Sequence, residues 1–384
     1  MKMGTEHDNI LGKEMNKVSQ APVSGGILTI DLDALAHNYR VLQNHAKPAK
    51  VAGVVKANAY GLGIERVAPT LYKQGCRIFF VAHLVEAFTL KNILPNDAKI
   101  AILNGVLPGA EIVCAENNFI PVLNSFDSVE RWAELCRQSK LKYPAIIQVD
   151  TGMSRLGLDA KEVENLQQKP EIFELADIHF IMSHLSCGDE ADNGANNAQL
   201  STLKKIIARL PKCTVSFANS GGIYQGTDFL FDLTRPGIAL YGVDPLGNLE
   251  TKIKPVVKLD ARVIQTRHVE KDIAIGYGGT FITKRASQIT TIAIGYADGW
   301  HRLLGNKGAA FIRGYKVPIV GRVSMDSITL DTTDLQGNAP KAGELVELIG
   351  PNQSLEMVAR DAGTIAYEIL TSLGNRYERH YIES

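Results

Sequence analysis

The chain of 384 residues carries no excess charge of either sign: 41 lysines and arginines stand against 41 aspartates and glutamates. That balance argues against a nucleic-acid partner, whose phosphates are usually met by a strongly basic face. Cysteine is scarce. Cys76, Cys114, Cys136, Cys187 and Cys213 are widely spaced, odd in number and never arranged as Cys-x-x-Cys, so neither a zinc site nor a disulfide framework is indicated. Reduced thiols in a reducing compartment are the simplest account. No apolar run is long enough to span a bilayer, and residues 1–26 are polar without the apolar core of a secretory signal. They read as a disordered leader, and a cytoplasmic location is expected. Internal repeats and low-complexity tracts are absent as well.

What is present is an ordinary globular composition, 45% hydrophobic and 21% charged, at a length that suits a large barrel plus a second unit. Short apolar runs recur at 51–57, 77–84, 99–104, 119–123, 145–150, 176–184, 214–218 and 231–235. Runs of this kind suit strands buried on both faces of a parallel sheet. Between most of them lie helical patterns, such as Ile64, Val67, Ala68 and Leu71, or Leu200, Leu203, Ile206, Ile207 and Leu210. Eight alternations in sequence predict an α/β chain with a (β/α)8 barrel over residues 27–255, although the last helix is poorly marked. Past Pro255 the texture changes to strands separated by turn residues, with helical signal returning at 355–373. A separate, mainly-β C-terminal domain is expected over 256–384. The alternating segment from Leu28 to Asp33 reads as a strand ahead of the barrel that could pair with the β domain.

Lys56 ends the first of the barrel runs and is followed by Ala-Asn-Ala-Tyr-Gly. A lysine is costly inside a buried strand but well placed at the C-terminal mouth of a barrel, where active sites of this fold collect. Desolvation there lowers its pKa and favours Schiff-base chemistry with a carbonyl. Taken alone, a strand-end lysine more often simply reaches solvent.

Its neighbours change the reading. Val54-Val55-Lys56-Ala57-Asn58-Ala59-Tyr60-Gly61-Leu62-Gly63 closely resembles the pyridoxal phosphate attachment motif of alanine racemases. Leu62 departs from it, since the family usually has histidine there. The resemblance extends over nearly the whole chain after the leader, and it implies a role for each matching segment. Arg155, in Asp150-Thr-Gly-Met-Ser-Arg155, resembles the arginine that contacts the substrate carboxylate, a task its planar fork suits. His184 matches a histidine in a hydrogen-bond network behind the cofactor. Asn219-Ser220 and Arg235-Pro-Gly237-Ile238 follow the seventh and eighth runs, where this barrel commonly binds phosphate; Ser220 offers a hydroxyl and Gly237 and Ile238 offer N–H groups. Arg235 looks like the family arginine facing the pyridine nitrogen, a cation that weakens the ring as an electron sink and so suppresses transamination. Tyr60 and Tyr367 match tyrosines that help hold the phosphate.

Racemisation needs a proton acceptor on each face of the α-carbon. The resemblance implies Lys56 for one and Tyr277, in Ile275-Gly-Tyr277-Gly-Gly, for the other. It further implies that the β domain reaches the barrel mouth of a partner subunit, making a homodimer with shared active sites. Tyr296 resembles a residue at the substrate entrance, and Met325 with Asp326 residues near the substrate. Gln148 stands where many members carry a carbamylated lysine; it is expected to orient Arg155 as a neutral hydrogen-bond acceptor, without bicarbonate. The implied activity is interconversion of L- and D-alanine on pyridoxal 5'-phosphate, supplying D-alanine for peptidoglycan, with no metal, nucleic acid or membrane involved. Alternatives are a broader serine-type racemase, a barrel-only pyridoxal phosphate homeostasis protein, and a decarboxylase of similar architecture. The β domain with Tyr277 argues against the second.

Overall fold

The structure, a computed structural model, describes residues 23–247 and 251–384. Of the leader expected over 1–26, residues 1–22 lie outside the described residues. Ser24 is tied down, its hydroxyl donating to the Gly26 and Arg376 carbonyls. By contacts the chain divides into two compact units, residues 31–256 with 382–384, and residues 257–381 with the N-terminal segment up to Ile30.

The first strand, β1 (Gly26–Asp31), belongs to the second unit and is taken up below. The larger unit contains β2 (Lys50–Val51), β3 (Gly53–Val54), β4 (Ile78–Val81), β5 (Lys99–Ile102), β6 (Ile120–Leu123), β7 (Pro144–Gln148), β8 (Asp177–Met182), β9 (Val215–Ser216) and β10 (Leu233–Thr234). They form one parallel sheet ordered β2-β10-β9-β8-β7-β6-β5-β4-β3. β2 pairs with β10 and β3 with β4, yet the two are halves of a single strand interrupted only at Ala52. The Ala52 N–H still donates to the Thr234 carbonyl across the interruption. The first strand therefore joins both ends of the sheet, and eight strands close into a barrel. All eight expected runs supply one strand each.

Local sequence explains the surrounding helices. In the helix Ile64–Lys73, Ile64, Val67, Ala68 and Leu71 are all buried, each of the larger three stabilising by roughly 2 kcal/mol. Ser125 caps the helix Phe126–Ser139, and Asp159 with Glu162 forms a reciprocal cap on Ala160–Gln167. The weakly marked last helix is a single 3-10 turn, Ile238–Tyr241, ended by Gly242.

The second unit is built on β11 (Val257–Val269), followed by β12 (Ala274–Ile275), β13 (Phe281–Ile282), β14 (Ser287–Ile292), β15 (Ala309–Ile312), β16 (Tyr315–Pro318), β17 (Ile328–Asp331), β18 (Leu345–Ile349) and β19 (Glu378–Ile382). The main sheet runs β16-β15-β18-β11-β1-β19, with β14 and β17 continuing from the far half of β11. A register shift between Val263 and Gln265 bends β11, so one 13-residue strand serves two groups of partners. The expected barrel boundary at residue 27 assigns β1 to the barrel. Its hydrogen bonds run instead to β11, from Gly26 opposite Ala261 to Ile30 opposite Val257, and Asp31 already caps the first barrel helix, Leu32–His45. The expectation that this strand could pair with the β domain is met, whereas the boundary at residue 27 shifts to Asp31.

Candidate active site

Lys56 stands two residues past Val54, the end of β3, and opens an unusual turn. Ala57, Asn58, Ala59 and Tyr60 all take left-handed backbone angles, with φ of 54–55°. The turn closes through Ala59 N–H to the Val55 carbonyl and Gly61 N–H to the Ala57 carbonyl. Asn58 stabilises its exit by accepting from the Ile64 N–H at 2.8 Å. Tyr60 is buried, its ring 4.5 Å from that of Tyr241. Leu62, the departure from the family motif, is fully buried and packs in the core.

Lys56 is half-buried, and its pKa is lowered, first by burial and then by the Arg155 guanidinium, against an opposing pull from Glu86. Glu86 lies in the first turn of the helix Leu84–Ile93 and accepts three backbone N–H groups, from Ala57 at 2.6 Å, Ala82 at 2.8 Å and His83 at 3.0 Å. Arg155 lies exposed in the loop after β7. That loop is organised by Asp150, whose carboxylate accepts the N–H groups of Gly152, Met153 and Ser154. Gln148 does not take the role expected of it: its amide donates to the Leu156 carbonyl at 3.0 Å. Being buried on β7, it fixes the backbone beside Arg155 and does not meet the guanidinium.

Arg235 follows β10 and is 3% exposed. Its guanidinium donates to the Ser216 hydroxyl, the Ser183 carbonyl at 2.6 Å, the Phe217 carbonyl at 3.3 Å and His184 Nδ1 at 3.3 Å. Among the described residues no carboxylate partners it. Burial pulls its pKa down to about 9, which leaves it charged at neutral pH. His184, two residues past β8, is driven down to about 3 by burial, then by Arg235, Arg155 and Lys56. It is therefore neutral, and because Arg235 occupies Nδ1 its proton belongs on Nε2. Nearby, Ser220 Oγ accepts from the Gly237 and Ala239 N–H groups at 3.0 and 3.3 Å. A Cβ on Gly237 would lie 2.2 Å from the Tyr60 hydroxyl, so only glycine lets Tyr60 rest against that backbone. Lys56, Tyr60, Arg155, His184, Ser220, Arg235, Gly237 and Ile238 all lie at or beyond the carboxyl ends of their strands, the catalytic end of such barrels.

Sequence reasoning passed over Gln199. Buried on the helix Gly194–Ile207, it donates to Thr151 Oγ1 and the His184 carbonyl and accepts from the Ser186 N–H and hydroxyl. One amide thus ties the loop bearing Arg155 to the end of β8. A glutamine in an amphipathic helix gives no sequence signal for this.

The other expected residues lie in the second unit. Tyr277 begins a 3-10 turn, Tyr277–Gly279, and is 72% exposed. Gly278 has φ of 71°, and a Cβ there would lie 3.0 Å from the Arg322 guanidinium. The turn is anchored by Ile275, packed with Ile289 and Val320. Tyr296 begins a second 3-10 turn, Tyr296–Asp298. This turn is zipped to the Met325 segment by the Tyr296 N–H to the Ser324 carbonyl and the Ala297 N–H to the Met325 carbonyl. Arg376, also passed over, grips buried Asp298 with two nitrogens and reaches Asp326 with a third at 2.7 Å. Tyr367 lies exposed on the helix Ala366–Ser372. No group of histidine, cysteine and acidic side chains among the described residues could hold a metal.

With this geometry in view, the likeness to known proteins is specific. Residues 30–245 match the alanine racemase N-terminal domain and residues 256–381 the alanine racemase C-terminal domain. The chain is 54% identical to the alanine racemase of Brucella ovis, covering 94% of each, and 48% identical to a catabolic alanine racemase of Agrobacterium fabrum, covering 96% of this chain and 95% of that one. The solved alanine racemase of Bartonella henselae, with covalently bound pyridoxal phosphate, superposes with a TM-score of 0.92 at 54% identity over 94% of this chain and all of that one. Both domains, in order and nearly end to end, place the chain in the alanine racemase family.

Proposed function

We propose that this protein interconverts L- and D-alanine with pyridoxal 5'-phosphate held on Lys56. The observation that carries the reading is the setting of Lys56: a half-buried amine of lowered pKa at the barrel mouth, close to Arg155 and His184. The residues present suit the cofactor. Arg235 is a buried cation without a carboxylate partner, suited to a heteroaromatic nitrogen that accepts a hydrogen bond. Ser220, Gly237, Ile238 and Tyr60 form a cradle of hydroxyl and backbone groups suited to a phosphate, to which Tyr367 is assigned as well.

When bound, the cofactor supplies an electron-withdrawing system that acidifies the α-carbon of the attached amino acid. The protein does the rest. Arg155 holds the substrate carboxylate. Lys56 Nζ accepts or returns the α-proton on one face, and Tyr277 Oη serves the opposite face. Arg235 stays cationic, and beside a bound cofactor it would disfavour protonation of the ring nitrogen, which would favour prompt return of a proton over transamination. His184, neutral with Nε2–H free to donate, extends the network held by Arg235. Tyr296, Met325 and Asp326 are assigned to the entrance and substrate side.

We also assign a homodimer in which the β unit of one subunit completes the site of its partner, acting in the cytoplasm to supply D-alanine for the cell wall. Support for a covering partner comes from exposed apolar side chains of the β unit, namely Ile273 and Ile282 on the segments flanking Tyr277 and Met325 beside the Tyr296 turn. Among the described residues no helix is long and apolar enough to cross a membrane.

Purified protein should show a visible absorption band that borohydride abolishes and Lys56→Ala lacks. L-alanine in deuterated water should yield D-alanine labelled at the α-carbon. Tyr277→Phe should keep the band and lose both labelling and conversion. Wild-type protein that forms no adduct on reconstitution would remove the basis of this reading.

A further inference from the structure

We infer that Glu86 is a positioning residue for Lys56, its carboxylate clamping the left-handed turn that carries the lysine and setting a negative charge beside the amine. The inference rests on the reading of Lys56 as the reacting lysine.

The turn is the starting point. Four consecutive L-residues, Ala57 to Tyr60, hold φ of 54–55°, a conformation that side chains oppose and that none of them relieves by being glycine. Such a turn persists only where its surroundings over-determine it. Asn58 secures the exit and the Tyr60–Tyr241 stack the far end. At the near end, next to Lys56 itself, the hold comes from outside the turn: Glu86 Oε1 accepts the Ala57 N–H at 2.6 Å. Its other oxygen accepts the Ala82 and His83 N–H groups just beyond β4. One carboxylate thus joins the ends of two adjacent barrel strands, β3 and β4, and fixes where the Lys56 backbone leaves the barrel.

The same carboxylate has an electrostatic role. Arg155 acts on Lys56 from the loop after β7, and His184 and Arg235 stand at the ends of β8 and β10. Burial and Arg155 disfavour the ammonium, while Glu86 favours it. A lysine that must both take up and release a proton needs an affinity between those extremes, and Glu86 supplies the balancing charge.

Glu86→Gln keeps the size, removes the charge and turns an NH2 group toward backbone N–H donors. Two readouts other than turnover follow it. In cofactor-stripped full-length protein, Lys56 is labelled with an amine-reactive reagent across pH and quantified by mass spectrometry. The labelling midpoint should fall by about half a pH unit or more, because loss of a nearby anion weakens proton binding. In the protein as purified, the Ala57 amide should exchange hydrogen about tenfold faster or more, reflecting local opening of the turn. A folded Glu86→Gln protein with either quantity unchanged overturns the inference. Should that variant not fold, Glu86→Asp, which keeps the charge but withdraws it by one methylene, decides: unaltered protection at Ala57 overturns it equally. Wild-type protein that never binds the cofactor would defeat the functional reading above and leave these two measurements standing.

Discussion

At the scale of single residues, the site is organised by where charge is left without its usual partner. Arg235 spends its donors on two carbonyls, a hydroxyl and an imidazole nitrogen, so its positive charge remains to be met by a ligand. His184 bears the consequence. Its ordinary pKa is about 6.5 in an unfolded chain, against about 3 here. Between those values the unfolded chain binds a proton that the folded one does not. His184 therefore contributes stability in full above about pH 6.5, lost progressively as the pH falls toward 3. Melting temperatures measured from pH 7 to pH 4 should decline less steeply for His184→Asn than for the parent protein. A steeper decline in the variant would contradict the assignment of His184 as a buried neutral base. The sequence offered a histidine at a strand end and, through the family resemblance, a hydrogen-bond network around it. Burial and the direction of the Arg235 donors come only from tertiary packing.

At the scale of elements, the barrel strands were legible because each is a short apolar run buried on both faces, a pattern little else produces. Ile146 and Ile147 on β7, or Phe79, Phe80 and Val81 on β4, are almost wholly buried. The turn after Lys56 was not legible in its geometry. Ala-Asn-Ala-Tyr contains no glycine at the left-handed positions, and only Asn58 is a residue that tolerates them readily. Local preference here loses to the holds placed by Glu86, Asn58 and Tyr241. That conflict is testable at Ala57, which is exposed, so its substitution leaves the core untouched. Ala57→Val should destabilise by about 1–2 kcal/mol, since a branched side chain worsens the left-handed clash, whereas Ala57→Gly should not destabilise. Denaturant midpoints would check both. In the second unit, where the sequence showed only strands separated by turn residues, Tyr277 and Tyr296 both start 3-10 turns. The glycines beside them, Gly276, Gly278 and Gly295, mark the break, and they read equally well as turn or bulge until the partners are known.

At the scale of the whole molecule, the assigned roles divide between two units, with Lys56 in one and Tyr277 in the other. If each site joins the lysine of one subunit to the tyrosine of its partner, two inactive variants should complement. Mixed dimers of Lys56→Ala and Tyr277→Phe, refolded together in equal amounts, should regain about a quarter of wild-type racemase activity, because half the dimers are mixed and each has one intact site. Sites built within one chain would leave the mixture inactive. Much of the division was legible: the change of texture at Pro255 marks the barrel's end, and the alternating segment ahead of the barrel read as a strand that could pair with the β domain, as it does with β11, although the boundary drawn at residue 27 left it on the barrel's side. That placement has a consequence for biosynthesis. Gly26–Ile30 precedes the barrel in the chain, yet β11 and β19, which flank it, are both made after the entire barrel. Throughout translation of the barrel, an apolar strand waits with both edges bare, a template for unwanted pairing with neighbouring nascent chains. Its service to the finished enzyme waits until the barrel is made, and a chaperone that shields this one segment would protect the whole yield.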